Sequence, residues 1–316
     1  MKKGNSEKKR HKILKVIGII IFVLPAVLLI LGFINSHKQV ISEDYQEKAE
    51  TGGEIEQKYL KNGSCDVAVK EYQADDPMKK IVAYYPIELE SSNKKYPVIV
   101  YGNGSTVKAS TIKHLLNHYA TWGFIVVDSE DDNTWSGDSA DKTLSLLLDE
   151  NRNKDSIFYE RVDKENIGIT GHSQGGVCVF NAITTQSNSG LYKTAAAVSP
   201  TQEELADALK WHYDLAKVTI PVMMLAGTGK SDAETVIPLD KMIPMYDKLS
   251  VPKVMARKKG IDHDLTDSDM DGYVTAWFMW QLQGDEEAAK AFAGDMPELM
   301  SNPLYHDQRS ELNEVN

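Results

Sequence analysis

From Tyr96 onward the chain alternates short, unbroken apolar runs with longer segments of helical apolar spacing, and this alternation restricts the fold more than any other feature. Strands are expected at Tyr96–Tyr101, Phe124–Asp128, Thr194–Ser199, Val222–Ala226 and Lys253–Arg257. Helices are expected over about 111–121, 140–151, 239–249 and 272–283. Ahead of them, Cys65–Tyr72 and Ile81–Leu89 alternate apolar with polar residues on either side of the turn Ala74-Asp-Asp-Pro77, the pattern of an antiparallel hairpin. Strands that alternate with helices bury both faces of a sheet. The expected class is therefore α/β: a mostly parallel central sheet with helices on both faces, opened by the hairpin, in one domain over residues 64–300.

Within that alternation, Asn166–Phe180 reads as strand, turn and helix. Ile167 and Ile169 supply the strand, Gly171-His-Ser-Gln-Gly175 the turn, and Val177, Val179 and Phe180 the apolar start of the helix. Glycines on both sides leave room for a strained backbone at Ser173, so that its hydroxyl stands at a strand end beside the amide of Gln174. His172 lies inside the turn and is expected to shape the site.

A serine hydroxyl is a poor nucleophile at neutral pH and needs a base, which in turn needs a carboxylate to hold its tautomer. Three histidines follow Ser173. His263, in Gly260-Ile-Asp-His-Asp-Leu, follows the last expected strand of the alternation, where open α/β sheets gather their chemistry. It is the expected base, whereas His212 and His306 are read as surface or packing residues. The acid is expected after the strand Val222–Ala226, where Asp232 is preferred to Glu234 for its shorter distance from the strand end. A second oxyanion donor is expected in Gly102-Asn-Gly-Ser105, through the amide of Ser105 beside Gly104, with Asn103 as the alternative. Asp267-Ser-Asp-Met-Asp-Gly272 resembles the start of a calcium loop, but Phe278 stands where the bidentate glutamate belongs, so it reads as a solvated turn. Neither a metal nor an organic cofactor is expected, and two cysteines, Cys65 and Cys178, make no disulfide framework.

The N-terminus has a separate character. Residues 1–15 carry seven Lys/Arg against one acid, a net of +6, while the whole chain carries −11, leaving −17 on the remainder. A body that acidic repels phosphate backbones, so no nucleic acid partner is expected. Residues 16–34 hold no charge and are long enough to cross a hydrocarbon core of about 30 Å as a single-pass anchor, with the basic segment on the cytoplasmic side. A cleaved signal peptide is the alternative, although Phe33-Ile-Asn-Ser36 is a poor cleavage site. Either places the body outside the cytoplasm. Residues 35–63 read as a polar tether and 301–316 as a polar tail.

The stretches Tyr96-Pro-Val-Ile-Val-Tyr-Gly-Asn-Gly, Gly171-His-Ser-Gln-Gly-Gly, and Ile243-Pro-Met-Tyr-Asp-Lys-Leu ahead of Gly260-Ile-Asp-His resemble the α/β-hydrolase superfamily. The likeness covers about residues 65–295 and is greatest to the branch of dienelactone hydrolases, cutinases and polyester hydrolases. It implies Ser173 as nucleophile, His263 as base, Asp232 as acid, and the amides of Ser105 and Gln174 as oxyanion hole. Polyester-degrading members usually carry an aromatic residue in the loop that here reads Ser199-Pro-Thr-Gln-Glu. Ester hydrolysis in general is implied, of a small or polymeric ester, and polyester cleavage is not. The same residues could serve an acyltransferase or a peptidase, and the fold alone could serve as a non-catalytic binding module.

Overall fold

The computed structural model describes residues 40–312. Nine strands form one sheet: β1 (Val67–Gln73), β2 (Lys80–Pro86), β3 (Tyr96–Gly102), β4 (Ile125–Ser129), β5 (Val162–His172), β6 (Tyr192–Val198), β7 (Val222–Gly227), β8 (Lys253–Lys258) and β9 (Tyr305–Glu311). Their spatial order is β1-β2-β4-β3-β5-β6-β7-β8-β9. β1 and β2 form the expected hairpin, β2 meets β4 antiparallel, and β4 through β8 run parallel. β9 closes the far edge antiparallel to β8. Strand order reverses at β3, which has β4 on one side and β5 on the other, with Val100 paired to both Val127 and Ile169. The crevice beyond the carboxyl ends of β3 and β5 is where such a sheet can receive a ligand.

Alternation along the strands sends side chains into two cores. Val98, Val100, Ile167 and Ile169 pack on one face against the helices Asp138–Glu150, Gln174–Thr184 and Leu239–Lys248. Ile99, Tyr101 and Val126 pack on the other against Lys113–Thr121 and Asp271–Gln283, where Trp277 and Phe278 are fully buried. Met242, Met245 and Trp277 are core residues, as their spacing suggests.

Two boundaries require correction. The tether expected over 35–63 is folded from residue 41, with Ile41, Tyr45, Tyr59 and Leu60 buried in the second core. The helix Glu54–Leu60 has its first amides capped from across the chain, with Glu298 accepting from Ile55 N at 2.8 Å and Glu56 N at 2.9 Å. The polar tail expected over 301–316 likewise enters the sheet, because β9 is an edge strand that leaves most of its side chains to solvent. Polar residues there are compatible with a strand. The expected anchor over 16–34 lies outside the described residues; among these, no helix is long and apolar enough to cross a membrane.

Candidate active site

Ser173 stands between β5 and the helix Gln174–Thr184 with φ 60° and ψ −118°, a backbone that non-glycine residues rarely adopt. Its neighbours make that turn possible by lacking side chains. A Cβ on Gly171 would lie 2.5 Å from the carbonyl oxygen of Gly175, and one on Gly175 would lie 1.9 Å from that of Gly102. The helix start can thus press directly on the end of β3, and Ser173 N donates to Val198 O of β6 at 3.0 Å.

Ser173 Oγ lies 2.8 Å from His263 Nε2, and His263 Nδ1 lies 2.7 Å from Asp232 Oδ1. Since a carboxylate only accepts, Nδ1 carries the proton and Nε2 is left to accept from the serine hydroxyl. Asp232 begins a wide helical turn, Asp232–Val236, just past β7 and is fully buried, while Glu234 is exposed. Its other oxygen, Oδ2, accepts from Gly227 N at 2.7 Å and from Ser199 Oγ at 2.6 Å. Burial would raise the carboxyl's pKa, but the hydrogen bonds from His263, Ser199 and Gly227 outweigh burial and hold it below the ordinary aspartate value. Asp262 ties the two loops together, its Oδ1 accepting from His263 N and Ser231 N, both at 2.8 Å.

The His172 ring lies against that of His263, tilted by 36° with centroids 4.5 Å apart, and its Nε2–H donates to the His263 carbonyl at 2.7 Å. Burial, followed by the nearby His263, pushes its pKa down to about 3, so it is neutral beside His263 at neutral pH. Gly104 lies against it, since a Cβ there would be 3.2 Å from the His172 carbonyl oxygen. Ser105 lies three residues past the end of β3 and Gln174 directly follows Ser173, and among the described residues neither backbone N–H has an acceptor. Asn103 ties this loop to the end of β4: its buried side-chain Nδ2 donates to Asp128 Oδ1, Ser129 O and Asp131 O at 2.8 to 2.9 Å.

The structure also brings in residues that the sequence reading passed over. Gln174 Oε1 accepts from Thr134 N at 2.9 Å and Nε2 donates to Asn133 Oδ1 at 3.2 Å, so the loop after β4 braces the elbow. Ser199, at the carboxyl end of β6, had a usable signal in that position. His212 is exposed and pairs with Asp207 at 2.7 Å, and His306 lies exposed on β9, both away from Ser173. Asp267 and Asp271 correct the solvated-turn reading: both are buried, the first hydrogen-bonded by Tyr101 and the second by Tyr45. Among the described residues no cluster of three His, Cys, Asp or Glu is placed to hold a metal.

A parallel sheet covered by helices on both faces, with a serine on a strained turn at its switch point, is the architecture of an α/β hydrolase. The chain belongs to the PETase family, described as PET hydrolase-like, whose model matches residues 76–309, and so to the polyester-hydrolase branch of that superfamily. No curated protein matches it.

Proposed function

We propose that the protein is a serine hydrolase of carboxylic esters working through an acyl-enzyme. The observation that carries this reading is the continuous chain from Ser173 to His263 to Asp232, at 2.8 and 2.7 Å. His263 takes the proton of Ser173 as Oγ attacks the ester carbonyl, and Asp232 stabilises the imidazolium that results. The amides of Ser105 and Gln174 receive the oxyanion, whose negative charge exists only in the tetrahedral species and so is bound more tightly than the substrate. His263 then protonates the leaving alcohol, and water repeats the sequence on the acyl-enzyme. A neutral His172 suits this cycle, because a charged neighbour would oppose protonation of His263.

The substrate class is carboxylic esters in general, small or polymeric; without an aromatic residue in Ser199-Pro-Thr-Gln-Glu, polyester is not singled out. The basic segment 1–15 and the uncharged run 16–34 support a body held outside the cytoplasm by a membrane anchor. Replacing Ser173 by Ala is expected to lower turnover of an activated short-chain ester at least about a thousandfold with the thermal melting curve unchanged. A fluorophosphonate should label the parent protein and not the variant. Near-parental turnover in Ser173→Ala would sink the assignment.

A further inference from the structure

Ser199 is fully buried and adopts φ 42°, one of few non-glycine residues in the left-handed region. Such a backbone persists where the surroundings hold it, and at a strand end it merits a functional question. Its N–H continues the sheet, donating to Leu225 O of β7 at 2.7 Å. The turn that follows β6 therefore aims the side chain at the next strand end, where Ser199 Oγ meets Asp232 Oδ2 at 2.6 Å. A carboxylate has no hydrogen to give, so the serine donates. Behind it, Thr266 Oγ1 lies 2.9 Å from Ser199 Oγ and 3.0 Å from the His263 carbonyl oxygen. That carbonyl also accepts from His172 Nε2–H at 2.7 Å, so the hydroxyl of the fully buried Thr266 bridges Ser199 to the backbone of His263, with both oxygens within reach of its single proton.

We propose that Ser199, oriented by Thr266, is a positioning residue that fixes the carboxylate of Asp232 toward His263. The inference rests on the hydrolase reading for its catalytic meaning and on geometry alone for the contact. With Gly227 N–H as its only other donor among the described residues, Oδ2 would be held from β7 alone; Ser199 adds a second hold from β6. The donated hydrogen bond also draws charge from the carboxylate, which moderates its pull on the His263 proton. The other titratable groups bearing on His263 are His172 from β5, the adjacent Asp262, whose Oδ1 accepts from His263 N, and Asp267 from the segment after His263, and all three are retained when Ser199 is altered.

The test compares the parent with Ser199→Ala, Thr266→Val and Thr266→Ser in two measurements. The first follows the His263 imidazole by NMR across pH, a readout that needs no turnover. The second separates kcat from KM on an activated short-chain ester. In Ser199→Ala the His263 midpoint is expected to rise and kcat to fall about tenfold, as loss of one hydrogen bond to a charged group does, with KM within about twofold. Thr266→Val should move both in the same direction by less, and Thr266→Ser, which keeps the hydroxyl, should restore them. An unchanged midpoint and kcat in Ser199→Ala overturns the proposal. If that variant does not fold, an equal midpoint in Thr266→Val and Thr266→Ser overturns it instead. If the parent itself escapes fluorophosphonate labelling, the hydrolase reading fails, while the NMR midpoints still decide the contact.

Discussion

A methyl group at position 175 would sit 1.9 Å from the Gly102 carbonyl oxygen, a backbone atom that cannot swing aside. Gly175→Ala must therefore part the Ser173 helix from β3. Overpacking of this kind costs about 1–3 kcal/mol, and the strained turn should push it to the upper end; urea denaturation measures the loss. The same displacement moves Gln174, one of the two proposed oxyanion donors, so turnover should drop with stability. Asp232 offers a different test, because Asp232→Asn keeps the shape and changes the hydrogen bonding. An asparagine can present its NH2 to His263 Nδ1, which then accepts, so that Nε2 carries the proton and no longer takes one from Ser173. Its kcat is expected to fall by about 10³–10⁴, as a wrong tautomer does elsewhere. Glu234→Gln, at an exposed position, should leave kcat within about twofold. Equal losses in the two variants would reopen the choice of acid.

At the scale of elements, the segment from residue 41 to 63 is held by a buried ion pair, Glu56 to Lys258 at 3.2 Å, each about 1% exposed. Glu56 also accepts from Gly52 N at 2.8 Å, Asn302 Nδ2 at 2.9 Å and the Tyr305 hydroxyl at 2.7 Å. It therefore joins the N-terminal helices, β8 and β9. Removing it by Glu56→Ala leaves Lys258 and three donors without their partner, and should cost about 3–5 kcal/mol in urea denaturation. Limited proteolysis should then cut between residues 41 and 63, and an unchanged cleavage pattern would contradict the clamp. This arrangement explains what the sequence could and could not reveal. The parallel strands were legible because both their faces are buried, which makes runs such as Val98-Ile99-Val100 continuous. Glu54–Leu60 and Tyr305–Glu311 were not, since they are polar segments whose placement depends on partners over 200 residues away or at a sheet edge. Ser173, His263 and Asp232 could be found by their order after strands, whereas the Ser199 contact depends on how two strand ends meet.

Across the whole molecule, several buried groups respond to pH in opposite directions. Asp267, raised from 3.8 to about 7 chiefly by burial, holds its proton in the folded state after the unfolded chain has lost it. Its contribution is complete below 3.8 and is lost as pH rises through about 7. His172, lowered from 6.5 to about 3 chiefly by burial, does the reverse: its contribution is complete above 6.5 and is lost as pH falls toward about 3. Between pH 4 and 6.5 these two slopes oppose each other, and the Asp267 loss is joined by that of Asp128 and Asp269, whose carboxyls burial likewise raises above the ordinary aspartate value. His118 is buried 2.7 Å from Asp271, and although burial opposes its charge, the carboxylate prevails and raises its pKa above 6.5. Its contribution is present below 6.5 and is lost as pH climbs through the folded value, adding to the last of the Asp267 loss. Asp267→Asn separates these effects, because the amide can still accept from Tyr101 and cannot ionise. The variant should melt close to the parent at pH 4. Without the slope of Asp267, its advantage over the parent should grow through pH 6.5 and be largest by about pH 8. Calorimetric scans at pH 4, 6.5 and 8 read this directly, and two parallel curves would mean that Asp267 is ionised in the folded protein throughout.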